Sequence, residues 1–205
     1  MFCDFSSEPG WAWTLVMSQS FGSRSESFAK TSFQGGGFKN QHKPNWEKYR
    51  IGKGRMWIIK AQSSHWRVTC DFPNFGVDYK GYARAPFKNL NPLKYDASGE
   101  CREMEYINIR GHNCTKCKAA WWQTKKQFLT HFSDQDRCQF GTTPEFVHNE
   151  ASFGGYWKNN VNLEFRCSTK ETSSTNHWFG GRVWADISLD KSAMNRLQND
   201  PQISK

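Results

Sequence analysis

Apolar and polar positions along this chain fall into short runs that read mostly as strands. A turn over residues 6–10 leads into Trp11-Ala12-Trp13-Thr14-Leu15-Val16, dense enough in aromatic and β-branched residues to predict a strand. Residues 65–72 and 77–87 alternate and predict two more. Over residues 103–109, Glu103 and Glu105 alternate with Met104 and Tyr106, as in a strand with one wet face. Met56-Trp57-Ile58-Ile59 is a short continuous apolar run, expected to be a buried strand. Trp46 and Tyr49, three apart, suit one face of a short helix, and residues 51–54 suit a turn. In residues 119–132 the apolar positions recur near helical spacing, which predicts a helix; a loop burying Trp121 and Trp122 is the competing reading. A Gly-Gly turn at Gly154-Gly155 precedes an expected strand ending at Cys167, and residues 176–184 repeat the same mix of aromatics and glycine.

Residues 18–44 are rich in Gly and Ser but carry Phe21, Phe28, Phe33 and Phe38, so they are expected to lie on the domain surface and not to act as a free linker. No break divides the chain. The pattern predicts a mixed α+β domain, mostly antiparallel and with long loops, over residues 1–185, followed by a polar tail over 186–205.

Composition changes the picture in two ways. The chain has 16 Phe, 10 Trp and 6 Tyr in 205 residues, so a large core is available despite a modest apolar content of 37%. Its net charge is +9, yet the basic residues are scattered and the longest unbroken run is Lys125-Lys126. That distribution predicts a generally cationic surface, with acidic glycans as partners and no nucleic acid. No stretch reaches the roughly 18 apolar residues of a membrane-spanning helix.

Seven cysteines cannot all pair with one another. Cys114 and Cys117, with His112 and His131 nearby, could begin a zinc site, but no second paired half follows at the usual spacing. A thioredoxin-like redox motif would need a strand before Cys114 and a helix after it, within alternating strand-helix units that the rest of the chain lacks. Dispersed cysteines fit an oxidising compartment better, and Asn113-Cys114-Thr115 is a glycosylation sequon. The chain has no signal-peptide pattern, which for an extracellular protein implies a fragment.

Candidate chemistry is that of binding. Gly-x-Ser-x-Gly, His-Glu-x-x-His and phosphate-loop patterns are all missing from the sequence, so an enzyme is not expected. Trp121, Trp122, Tyr156, Trp157, His177 and Trp178 could stack on sugar rings, with Asn159, Asn160 and Asn176 as hydrogen-bonding neighbours; core packing is the competing use of each ring. Asp134 and Asp136 could give two hard oxygen ligands to Ca2+, with carbonyls and water completing the shell.

Cys3-Asp4-Phe5, a glycine-containing turn and Trp13-Thr14-Leu15-Val16 together resemble the opening of a fibrinogen-like C-terminal domain. Asn45-Trp46-Glu47-Lys48-Tyr49 is similar to that family's Trp-x-x-Tyr segment, and Asp134-Gln135-Asp136-Arg137-Cys138 to its calcium loop. Ala119-Ala120-Trp121-Trp122 precedes this loop, whereas the family's Gly-Ala-Trp-Trp follows it. The cysteine- and Trp-rich pattern is closer to divergent fibrinogen-like proteins of cnidarians, some of them in coral skeletal organic matrix. The resemblance implies a twisted antiparallel sheet with short helices and disulfide-linked loops. It implies that Cys3 pairs with a cysteine upstream of residue 1. It also implies a secreted, non-enzymatic matrix or adhesive module that binds glycans or matrix partners. An innate-immune lectin working through aromatic loops is the alternative.

Overall fold

A computed structural model describes residues 1–133, 137–142 and 149–183. In chain order the strands are β1 (Cys3–Asp4), β2 (Trp11–Ser20), β3 (Lys48–Arg50), β4 (His65–Cys70), β5 (Gly81–Pro86), β6 (Ala97–Ile109), β7 (His112–Thr124), β8 (Gln127–Phe132), β9 (Ala151–Ser152) and β10 (Ser174–Arg182). Three helices accompany them: α1 (Ser27–Lys30), α2 (Lys53–Ala61) and α3 (Phe72–Phe75). All strands join one antiparallel sheet in the order β1-β2-β10-β4-β5-β6-β7-β8-β9, and β3 shares the outer edge of β2 with β1. The fold is therefore α+β, mostly antiparallel sheet. None of the described helices is long and apolar enough to cross a membrane.

Strands are found where the pattern predicts them: β2 and β6 run longer than residues 11–16 and 103–109, while β4 and β5 are shorter than residues 65–72 and 77–87. Four expectations are corrected. Residues 119–132 form the β7–β8 hairpin, with Trp121 opposite His131 and Thr124 opposite Gln127. Ala119, Ala120 and Trp121 are buried in succession because both faces of the sheet are covered here, and a strand buried on both faces loses its alternation. Met56–Ile59 lies in α2, whose first turn closes with Met56 N–H donating to the Gly52 carbonyl. Only Met56 of that run is fully buried, while Ile58 is 65% exposed, so the run spreads around a helix. Tyr49 sits in β3, paired with Ser18, and not on a helix. The segment before Cys167 is a 3-10 turn (Arg166–Ser168) held by the Cys70–Cys167 bridge, with no strand ladder.

The Gly/Ser-rich segment also departs from expectation, because Phe28 and Phe33 are core residues. The buried Arg50 guanidinium explains this. It donates to the carbonyls of Phe28 (2.9 Å), Thr31 (2.5 Å) and Ser32 (2.6 Å), fastening an irregular stretch that has no ladder of its own.

Aromatic clusters cover both faces of the sheet. On one, Phe33 and Phe128 pack on His177, which stacks on Trp66, and Trp66 meets Trp121 edge to face at 5.2 Å. On the other, Phe2, Trp46 and Phe72 surround Trp178. Gly180 lets β10 approach β2 closely, since a Cβ there would lie 2.0 Å from the Ala12 carbonyl oxygen.

Three disulfides form: Cys70–Cys167, Cys101–Cys138 and Cys114–Cys117. The first two close loops across sequence separations of 97 and 37 residues; the third spans 3 residues within β7. Cys3 is exposed and unbridged.

Candidate functional site

A cationic concave surface lies beside α2. Lys53, Trp57 and Lys60 sit at positions i, i+4 and i+7 of this helix and therefore share one face. Opposite them runs the loop between β5 and β6. Its Leu90, Leu93 and Tyr95 are buried, which leaves Lys88, Asn89, Asn91 and Lys94 to face outward.

Two buried hydrogen-bonding side chains hold the loop. Gln123 of β7 donates to the carbonyls of Pro92 and Tyr95, both at 2.7 Å, and accepts from the Phe33 amide at 3.1 Å. The Tyr95 hydroxyl donates to the Trp121 carbonyl at 2.6 Å. Burial, helped by the charge of Glu100, pushes the Tyr95 hydroxyl up to about 12, so it remains a neutral donor. Gln34, half-buried, adds a bond to the Tyr95 carbonyl at 2.6 Å. The loop is thus fixed before any ligand arrives, which lowers the cost of ordering it on binding.

Two clefts open between these walls. One, of about 500 Å³, is lined by Lys60, Phe87, Lys88, Asn89, Lys94 and Arg102, among others. The second, of about 690 Å³, is lined by Gln34, Lys53, Leu93, Lys94 and Lys125, among others. Lys94 borders both and lies over the Trp57 ring at 5.8 Å. Arg102 pairs with Glu100, and Lys53 donates to the Gln34 carbonyl at 2.8 Å. Among the described residues no carboxylate lies within ion-pair distance of Lys60, Lys88, Lys94 or Lys125. Their ammonium groups are free to meet anions from solution.

Residues singled out in the sequence are placed elsewhere. Trp121, His177 and Trp178 are fully buried and Tyr156 nearly so; their ring faces pack on protein and cannot stack on a sugar. Trp178 donates its indole N–H to Thr69 (2.9 Å), and Tyr156 shares a hydrogen bond with Thr175 (2.9 Å). Trp122 is half-buried against Phe132, and Trp157 is 36% exposed with the Lys30 ammonium over its ring. The rings do not converge on one surface. Asn113 is exposed at the start of β7, where a sugar could attach. Cys114 and Cys117 are joined to each other, so neither offers a thiolate to zinc. Asp134 and Asp136, the calcium candidates, lie outside the described residues. Among the described residues no three His, Cys, Asp or Glu side chains gather as a metal site would require.

One polar relay has the order of a nucleophile, base and carboxylate. Ser64 Oγ lies 2.7 Å from His65 Nδ1, and His65 Nε2 lies 3.2 Å from Glu105 Oε2. Burial pulls the His65 pKa down against the pull of Glu105. However, the Ser64 amide donates to the Gly180 carbonyl at 2.9 Å, so it is not available to hold an oxyanion, and Arg84 also engages Glu105. The relay reads as a polar strut between β4 and β6.

The sequence reading missed the cleft residues because it assigned Met56–Ile59 to a strand. Had residues 53–61 been read as a helix, the i, i+4, i+7 spacing of Lys53, Trp57 and Lys60 would have exposed a cationic face. No protein-family model, curated protein or solved structure matches this chain, so the functional reading rests on the site itself.

Proposed function

We propose that this chain is a secreted, non-enzymatic extracellular module of matrix or adhesive type that holds acidic glycans in the cationic cleft beside α2. The observation that carries the reading is the set of unpaired ammonium groups, Lys60, Lys88, Lys94 and Lys125, around a loop already fixed by Gln123 and Tyr95. The disulfides support an extracellular setting, because such bonds persist where thiols are not kept reduced. The resemblance to fibrinogen-like domains supports an adhesive role, and its cnidarian variants support a place in a skeletal organic matrix. A basic chain suits the organic scaffold, in contact with acidic polymers, better than the surface that gathers calcium. Burial of Trp121, Tyr156, His177 and Trp178 leaves only Trp122 and Trp157 of the six candidate rings with exposed surface, which favours the cationic cleft over the lectin alternative.

The test is titration of the protein with a sulfated polysaccharide and with an uncharged dextran of equal length, at low and at high salt. Binding only to the charged polymer, weakening as salt rises, is expected. Equal binding to both polymers, or affinity indifferent to salt, overturns the assignment to this cleft.

A further inference from the structure

We infer that the two clefts form a single groove for an extended polyanion, a sulfated or uronate-bearing polysaccharide long enough to bridge both ends across Lys94. The inference rests on the proposed function and specifies its ligand.

Helix α2 provides the measure. Lys53 and Lys60 are two turns apart on one face, about 10 Å along the axis. Lys53 lines one cleft and Lys60 the other. Trp57 lies between them in the helix and packs under the Lys94 ammonium, so the dividing ridge is itself a charge. Lys125, in the β7–β8 turn, extends the cationic lining at the Lys53 end, and Lys88 does so at the Lys60 end. A monovalent anion would satisfy one of these groups and leave the others repelling each other. A chain carrying an anion on successive units would neutralise them in series, each later contact being intramolecular.

The groove favours a glycan over a nucleic acid. Single-stranded nucleic acids need open aromatic faces on which bases stack. Here Phe87 and Tyr95 are buried, Lys94 covers Trp57, and Arg102 lies over the Tyr95 ring at 5.1 Å. Asn89 and Asn91 add side-chain amides along the wall, suited to hydroxyl groups between the charges.

The experiment titrates the full chain with size-fractionated heparin fragments, from disaccharide to dodecasaccharide, and with single-stranded DNA of matched charge. Affinity is expected to rise at least about tenfold between the disaccharide and the longer fragments, then to level off. Lys94→Gln should abolish most of that rise, and Lys94→Arg should restore it. The pair Lys53→Gln and Lys125→Gln should weaken long fragments more than the disaccharide, which can still occupy the Lys60 end. Lys94 and Lys125 are exposed and Lys53 is half-buried, and an unchanged melting temperature checks the fold of each variant. Equal affinity for all fragment lengths overturns the single groove but leaves the proposed function standing. No binding of any fragment overturns both. Equal or tighter binding of the DNA overturns the choice of a glycan.

Discussion

Arg67 and Asp4, 63 positions apart in sequence, form a buried ion pair with Arg67 Nη2 2.6 Å from Asp4 Oδ2. The same guanidinium reaches Glu8 Oε2 at 2.5 Å and lies between the Trp13 and Trp178 rings, 4.6 and 4.7 Å from their centroids. This cluster fastens β1 and the turn after it to the middle of the sheet. Truncating Arg67 to Ala would leave Asp4 buried without its cation and Glu8 with Arg84 alone, at an expected cost of about 3–5 kcal/mol. Urea unfolding would measure it. The triple variant Arg67→Met, Asp4→Asn, Glu8→Gln should regain most of the loss, because no charge is then left stranded.

Acid should destabilise the protein through its buried histidines. Burial lowers both His131 and His177 to about 3, and Arg50 adds to the effect at His177. Both are neutral in the folded chain, whereas in the unfolded chain they protonate near 6.5. Their folded pKa values are depressed, so protonation favours unfolding. Stability is therefore full above 6.5 and falls as pH drops toward 3, by up to about 1.4 kcal/mol per pH unit for each histidine. Neither His131 nitrogen has a hydrogen-bond partner among the described residues. His131→Phe should accordingly cost little at pH 7 and should flatten the decline between pH 6 and pH 4, as read by thermal melts across pH.

At Asp4, burial acts upward, but bonds from Ser7 and Arg67 and from the Ser6 and Ser7 amides outweigh it and hold the carboxyl below its usual value. The stabilisation it brings is present above the unfolded value of about 3.9 and is lost as pH falls through the lower folded value. Asp4→Asn should remove this last step of acid unfolding while leaving the histidine-driven decline at higher pH in place.

The disulfides should differ in worth. On the chain-entropy account, the Cys70–Cys167 bridge, spanning 97 residues, contributes about 4–5 kcal/mol, while the short Cys114–Cys117 loop contributes about 2. Paired Cys→Ala variants compared in urea would check that order. Non-reduced peptide mapping should recover the same three bridges.

Gln123→Ala should weaken binding without touching the ligand. Its buried amide holds the Pro92 and Tyr95 carbonyls, so removing it frees the loop that carries Lys88 and Lys94. An expected stability loss of about 1–3 kcal/mol should accompany weaker binding of sulfated polysaccharide. Gln123→Glu would return acceptors where donors are needed and should not rescue it.

Several strands were legible because their side chains alternate against a sheet. His65–Cys70 and Gly81–Pro86 fall where period-two patterning places them. The cysteine spacing pointed to cross-linked loops without choosing partners, since pairing depends on which loops meet across the sheet. Tertiary structure decided the rest where local pattern is degenerate. Burial on both faces erased the alternation at Ala119–Trp121, and a four-residue apolar run at Met56–Ile59 suits either periodicity. Tertiary packing likewise turned Trp121, His177 and Trp178 inward and set Lys53, Lys60, Lys94 and Lys125 side by side. Charges scattered through a sequence become a site only when folding brings them to one surface, and no local rule records that distance.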